Sequence, residues 1–288
     1  MKDLSVTANN TQCIGSFRCD ADVQKHLPRE LYNAIFDSIP NNLDVRELVT
    51  VNTNSVLLNN GAFGHAYNEV RRLSRALREF SEEHPEVFYD QVCLPLINYS
   101  YAVVEEFMET RNVLLVPNCT MGMKCVTELL IREQKHKDLA CLIPIYGATA
   151  KLLQYYDSEN MLSTLTRISP GENPLLEENP DVIVSTLEDA YQVQPFTVLF
   201  CDEIASQSGR QLPLEAIAGF CESHAVKLVV DGTQSCQLFF GNQKKVLKKV
   251  DYFVMSTHKW LGKILLIFFS FDYHDGIDNT MKLCCNGV

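Results

Sequence analysis

The apolar run DYFVM, residues 251–255, gives way at once to Ser256, His258 and Lys259. A buried strand ordinarily closes on a turn residue such as Gly, Asn or Asp. A lysine in that place either snorkels to solvent or has a chemical role. A second polar group closes another apolar run: KLVV, residues 227–230, is followed by Asp231, Gly232 and Gln234. A carboxylate at a buried strand end needs a partner, since leaving it unpaired costs several kcal/mol or shifts its pKa. For Asp231 that partner is either a backbone turn or a ligand carrying positive charge. After NVLLVP, residues 112–117, come Asn118, Cys119 and Thr120 at the start of a helical pattern. Asn118 or Thr120 can cap that helix, and the open N–H groups of its first turn favour a phosphate. After LACLIP, residues 139–144, comes Tyr146, whose ring can lie over a flat ligand. Singly, each of these has a plain alternative: a surface His-Lys pair, an ordinary N-cap, a tyrosine at the rim of a core.

Together they describe one ligand. Thr120, Ser256 and His258 supply donors for a phosphate, Tyr146 a stacking face, Asp231 a counter-charge for a ring nitrogen, and Lys259 an amine. Pyridoxal 5'-phosphate has a phosphate, a pyridine nitrogen and an aldehyde, and proteins hold it through a Schiff-base lysine and an acid at the ring nitrogen.

The elements that must position these residues are legible as alternating patterns. Strand-like runs occur at NVLLV, LACLI, STLTRI, TVLFCD, KLVVD and DYFVM, and helical stretches at TMGMKCVTELLIRE, GATAKLLQYY and LPLEAIAGFCESH fall between them. Short continuous apolar strands separated by amphipathic helices predict a mainly parallel sheet covered on both faces, with ligands at the carboxyl ends of the strands. Upstream, RELYNAIF predicts a helix, SVLLNNGAFG a short strand and a glycine turn, and Val70, Leu73, Leu77 and Phe80 share one helical face ahead of a second helix with Val103, Val104 and Phe107.

Composition excludes several classes. The 288 residues carry a formal charge of -11, and the one basic block is NQKKVLKK, so no nucleic-acid footprint is expected. Eleven scattered cysteines, odd in number and without C-x-x-C pairs, point to reduced thiols in the cytoplasm rather than to zinc or a disulfide scaffold, and no metal is expected. The N-terminus lacks a signal-peptide pattern, and the apolar run ILLIFFSF is too short to cross a bilayer. No G-x-G-x-x-G or G-x-x-x-x-G-K-[ST] follows a strand, which leaves a nucleotide-binding reading without support.

The stretches LNNGAFG, NCTMG, YGA, DEIASQSGRQLPLEAIAGFCESHAVKLVVDGTQ and DYFVMSTHKWL, in this order, resemble the class V aminotransferase family of fold-type I pyridoxal-phosphate enzymes, which includes the cysteine desulfurases; the isopenicillin N epimerase-like branch is the most similar. The resemblance covers about residues 55–261. It implies an α/β fold with a mainly parallel seven-stranded sheet. It also implies Lys259 as Schiff-base residue and proton shuttle, Asp231 on the pyridine nitrogen, Gln234 near the ring hydroxyl, and Tyr146 on the ring. Thr120, Ser256, His258 and the Cys119 N–H would contact phosphate, Gly61, Ala62 and Phe63 the substrate carboxylate, and Ser206 the substrate side of the ring.

The expected organisation is an N-terminal arm and helix over 1–54, a cofactor-binding large domain over 55–271 and an irregular tail over 272–288. Relatives continue into a small C-terminal domain that supplies an arginine for the substrate carboxylate, whereas this chain ends 29 residues after Lys259 and has no Arg after Arg210. A truncated form is therefore expected. The activity implied is that of a homodimeric, cytoplasmic enzyme acting on an amino acid or cysteine-derived substrate, of epimerase, carbon-sulfur lyase or aminotransferase type. The alternative is a noncatalytic fold kept for binding or dimerisation.

Overall fold

The computed structural model describes residues 25–36, 59, 61–108, 112–133, 137–235 and 244–260, and the backbone of 267–270. The chain divides into two compact units, one of residues 1–111 with 262–264, the other of residues 112–261 with 265–288.

The first unit is helical, with α1 (Arg29–Phe36), α2 (Asn68–Glu83) and α3 (Leu94–Met108). The spacing of Leu73, Leu77 and Phe80 puts one face of α2 against Leu27, Leu31 and Val92, so the expected amphipathic stripe is the core of this unit. A π-helical segment, Phe88–Cys93, leads into α3, and the Phe88 ring meets Phe80 edge-on with centroids 6.4 Å apart. Gly61, Ala62 and Phe63 lie in a turn closed by Ala62 N–H donating to the Asn59 carbonyl at 3.2 Å, and Phe63 is exposed. The strand expected at SVLL lies outside the described residues.

The second unit is built on a seven-stranded sheet: β1 (Val113–Leu115), β2 (Asp138–Leu142), β3 (Thr164–Ile168), β4 (Val198–Asp202), β5 (Lys227–Asp231), β6 (Tyr252–Met255) and β7 (Ile267–Ser270), in the order β1-β7-β6-β5-β4-β2-β3. The pairings from β3 through β6 are parallel, and β7 runs antiparallel to both β1 and β6. The six runs read from sequence are β1 to β6. The seventh strand falls in the apolar run ILLIFFSF.

Helices α4 (Cys119–Arg132), α5 (Gly147–Ser158), α6 (Pro180–Val193) and α7 (Leu214–His224) follow β1, β2, β3 and β4 respectively. Alternation along each strand decides which residues meet which helices. Leu139, Val198, Phe200, Val229, Tyr252 and Val254 join Met123 and Leu130 of α4 and Leu153 of α5 in one core. The residues between them, such as Ala140, Leu199, Leu228, Val230 and Phe253, are equally buried on the opposite face, as are Ile183 of α6 and Ile217 of α7. A strand buried on both faces has no use for polar alternation, which is why these runs are continuously apolar.

The start of α4 is fixed by Asn118, whose Oδ1 accepts the Met121 N–H at 2.8 Å. Thr120, the other capping candidate, is an exposed residue of the first turn. Asn118→Ala is expected to lower stability by about 1 kcal/mol, with Asp restoring it. A urea midpoint for Asn118→Ala equal to that of the parent would show that this bond does not hold the helix.

Among the described residues no helix is long and apolar enough to cross a membrane.

Candidate active site

The carboxyl ends of β4 and β5 place two acids side by side. Asp202 and Asp231 are partners in the parallel register, so their side chains leave the sheet on the same face, and both are buried. Asp231 Oδ1 accepts the Thr233 N–H at 2.9 Å, which makes the backbone turn one of its two expected partners. Burial pushes the Asp231 carboxyl above the usual carboxylate range, opposed by Thr233 and by the charge of Lys259. Burial, and then the neighbouring Asp231, push Asp202 up to about 8. The backbone N–H groups of Tyr146 and Ser206 favour the Asp202 carboxylate, while its Oδ1 is buried without a hydrogen-bond partner. Asp202 thereby ties together the loop carrying Tyr146 and the loop carrying Ser206.

Gly232 opens the turn after Asp231, and Ser235 N–H closes it on the Gly232 carbonyl at 2.9 Å. The reason for glycine there is a close approach: a Cβ on residue 232 would lie 2.0 Å from Cζ of Phe253. Thr233 in the same turn donates from Oγ1 to Cys119 Sγ at 3.1 Å. Cys119 in turn sits within electrostatic reach of Asp231, Ser256 and Lys259, and burial, then Asp231, push its thiol up to about 11. A thiol so placed is protonated at neutral pH and is no nucleophile. The amides of Cys119 and Thr120 stand at the open end of α4, ahead of the one capped by Asn118.

Past β6, Ser256 is buried and its Oγ lies 2.9 Å from His258 Nδ1. Burial, then Lys259, depress the His258 pKa, so the ring stays neutral and presents one N–H donor. Lys259, in the single turn Thr257–Trp260, is half-buried and close enough to bias Asp231, Cys119 and His258. Trp260 Nε1 donates to Gln234 Oε1 at 2.8 Å and links this turn to the one after Asp231. Tyr146, which follows the cis Ile143-Pro144 bond, is 47% exposed, as a stacking platform must be before its ligand arrives.

The structure thus gathers Cys119, Tyr146, Ser206, Asp231, Ser256, His258 and Lys259 at one end of the sheet, and Gln234 joins them through Trp260. Gly61, Ala62 and Phe63 belong to the first unit. Two members of the gathering went unread in the sequence, Asp202 and Thr233. A signal for Asp202 was present, because TVLFCD ends on aspartate as KLVVD does.

Neither a protein-family profile nor a curated protein sequence matches the chain. Solved structures do match. The cystine C-S lyase C-DES, in a lysine-to-alanine variant with glycine covalently linked to its PLP cofactor, superposes with a TM-score of 0.62 at 16% identity, over 76% of this chain and 57% of its own. A cysteine desulfurase from Thermococcus onnurineus gives 0.58 at 15% identity, over 82% of this chain and 58% of its own. The pyridoxamine-pyruvate aminotransferase of Mesorhizobium loti gives 0.50 at 18% identity, over 78% and 52%. The fold is that of the pyridoxal-phosphate-dependent transferases. This chain spans a little over half the length of each of these three proteins.

Proposed function

We propose that this chain binds pyridoxal 5'-phosphate at the carboxyl ends of β4, β5 and β6, held covalently by Lys259, and acts on an amino acid or cysteine-derived substrate. The observation that carries this reading is a buried acid at the end of β5, Asp231, within electrostatic reach of the Lys259 amine. A protonated pyridine nitrogen would favour the Asp231 carboxylate against its burial, because it brings a positive charge together with a hydrogen bond. The donor set fits the other end of the molecule: the Ser256 hydroxyl, the neutral His258 ring and the first amides of α4 suit a phosphate.

When bound, pyridoxal phosphate supplies an electron sink for negative charge developing on the amino-bearing carbon of a substrate. Asp231 would hold the ring nitrogen protonated and so keep that sink effective. Tyr146 would offer its exposed ring as a stacking face, and the Lys259 amine would serve as the base that moves a proton at that carbon. Ser206, pinned by its amide to Asp202, borders the substrate. Cleavage of a carbon-sulfur bond, epimerisation and transamination all begin with this proton removal, and the three neighbours include a desulfurase, a lyase and an aminotransferase.

The test is covalent mapping. The purified chain is incubated with pyridoxal 5'-phosphate, reduced with borohydride and digested. A phosphopyridoxyl group on Lys259, lost in Lys259→Ala while the other lysines stay unmodified, is the expected result. A folded protein with no adduct at Lys259 overturns the reading.

A further inference from the structure

Glu203 directly follows Asp202, and it is as buried as any of the described residues, with 0% of its surface exposed. Both of its carboxylate oxygens are used. Ser235 Oγ donates to Oε2 at 2.7 Å, and Gln211 Nε2 donates to Oε1 at 2.6 Å. Its backbone is engaged as well, with Glu203 N–H donating to the Asp231 carbonyl at 3.0 Å and its own carbonyl accepting Leu212 N–H at 2.8 Å. One residue therefore binds three segments: the end of β4, the turn Gly232–Ser235, and the loop that returns at the Ile204 and Gln211 bridge.

That turn is the one that aims Asp231. Its first residue is pressed against Phe253, its second donates to Asp231 and Cys119, its third accepts from Trp260, and its fourth is held by Glu203. Burying a carboxylate costs several kcal/mol unless it is fully hydrogen-bonded, and a core position of this kind suits an apolar residue better when nothing needs to be held. Two side-chain hydrogen bonds converging on one buried carboxyl group favour one turn conformation over its alternatives.

Resting on the cofactor site proposed above, we infer that Glu203 is a positioning residue: through Ser235 and the Asp231 carbonyl it sets the aim of the Asp231 carboxylate at the ring nitrogen. It touches neither cofactor nor substrate. Its loss should therefore damage recognition of that nitrogen and spare recognition of the phosphate.

The experiment compares the affinity of the full chain for pyridoxal 5'-phosphate with that for its 1-deaza analogue, in which carbon replaces the ring nitrogen. The parent protein is expected to prefer the natural ring by about tenfold or more, and Glu203→Ala to shrink that preference to about threefold or less, with Glu203→Gln keeping most of it. Ser235→Ala, which removes a single bond, should give an intermediate loss and serves if Glu203→Ala does not fold. A folded Glu203→Ala or Ser235→Ala with the parental preference overturns the inference and leaves the cofactor site standing. A parent that forms the Lys259 adduct without preferring the natural ring overturns it through Asp231. A parent with no Lys259 adduct overturns the site reading and this inference together.

Discussion

Gly232→Ala is expected to lower the stability of the sheet unit by about 3 kcal/mol or more. The added Cβ would sit 2.0, 2.4 and 2.7 Å from Cζ, Cε2 and Cε1 of Phe253, all far inside contact distance. The ring cannot step aside cheaply, because Phe253 is fully buried on β6 and its strand is paired on both sides, with β5 and with β7. Domains are stable by only about 5–15 kcal/mol, so the variant should show a large fall in its urea midpoint. The mechanism makes a second, sharper claim. In the background Phe253→Leu, which withdraws the far end of the ring, the same glycine substitution should cost less than half as much, a coupling that a double-mutant cycle reads directly. Additive costs would show that the turn itself, and not the ring, is what excludes a side chain.

Asp202→Asn is expected to stabilise the ligand-free protein at pH 8 by about 2 kcal/mol and to flatten its response to pH. The sign follows from the direction of the shift. In the unfolded chain the Asp202 carboxyl loses its proton near pH 4, whereas in the fold, burial and Asp231 hold it up to about 8. Between those limits the folded state binds more protons than the unfolded one, so stability falls as pH rises through the window and levels off above it. Asp231, shifted in the same direction by burial, adds to the slope. An amide at position 202 accepts the Tyr146 and Ser206 N–H groups as the acid does and turns its own N–H toward the orphaned side, removing one titration and easing the other. Urea midpoints of both proteins at half-unit steps from pH 5 to pH 8.5 decide it. Parallel curves would mean that Asp202 does not carry the slope.

The central strands β2, β4, β5 and β6 were legible because burial on both faces writes itself into the sequence as nearly unbroken apolar runs, whereas the edge strand β3 alternates with polar residues and is only partly buried. Their neighbours in the sheet were not legible. Nothing in the composition of Val113–Leu115 says that it pairs with β7 rather than with β2, since register is a tertiary choice among equally apolar partners. The run ILLIFFSF was weighed for its length against a bilayer, and an apolar run of that length is ambiguous until the gap beside β6 is known.

The site divides in the same way. Lys259, Asp231, His258 and Tyr146 stood out because each is a polar or aromatic residue just past an apolar strand. Glu203 did not, because its meaning lies in Gln211 and Ser235, whose loops come together only in the fold. Gly232 stands out in the sequence only as a glycine after Asp231, but it is held to its size by a ring on the next strand, a constraint no local pattern records.

The insertion of β7 between β1 and β6 has a consequence for how the chain is made. Strands β2 to β6 form a contiguous block whose members can pair as soon as Met255 has left the ribosome, but Val113 finds its partner only in Phe269. The first strand synthesised is thus the last to be seated. Until then the edge of β7 stays open, the kind of edge that templates pairing between chains. Pairing so remote in sequence is also slow. Assembly of this sheet is accordingly expected to end with the seating of β1, and conditions that delay that closure leave the edge of β7 exposed.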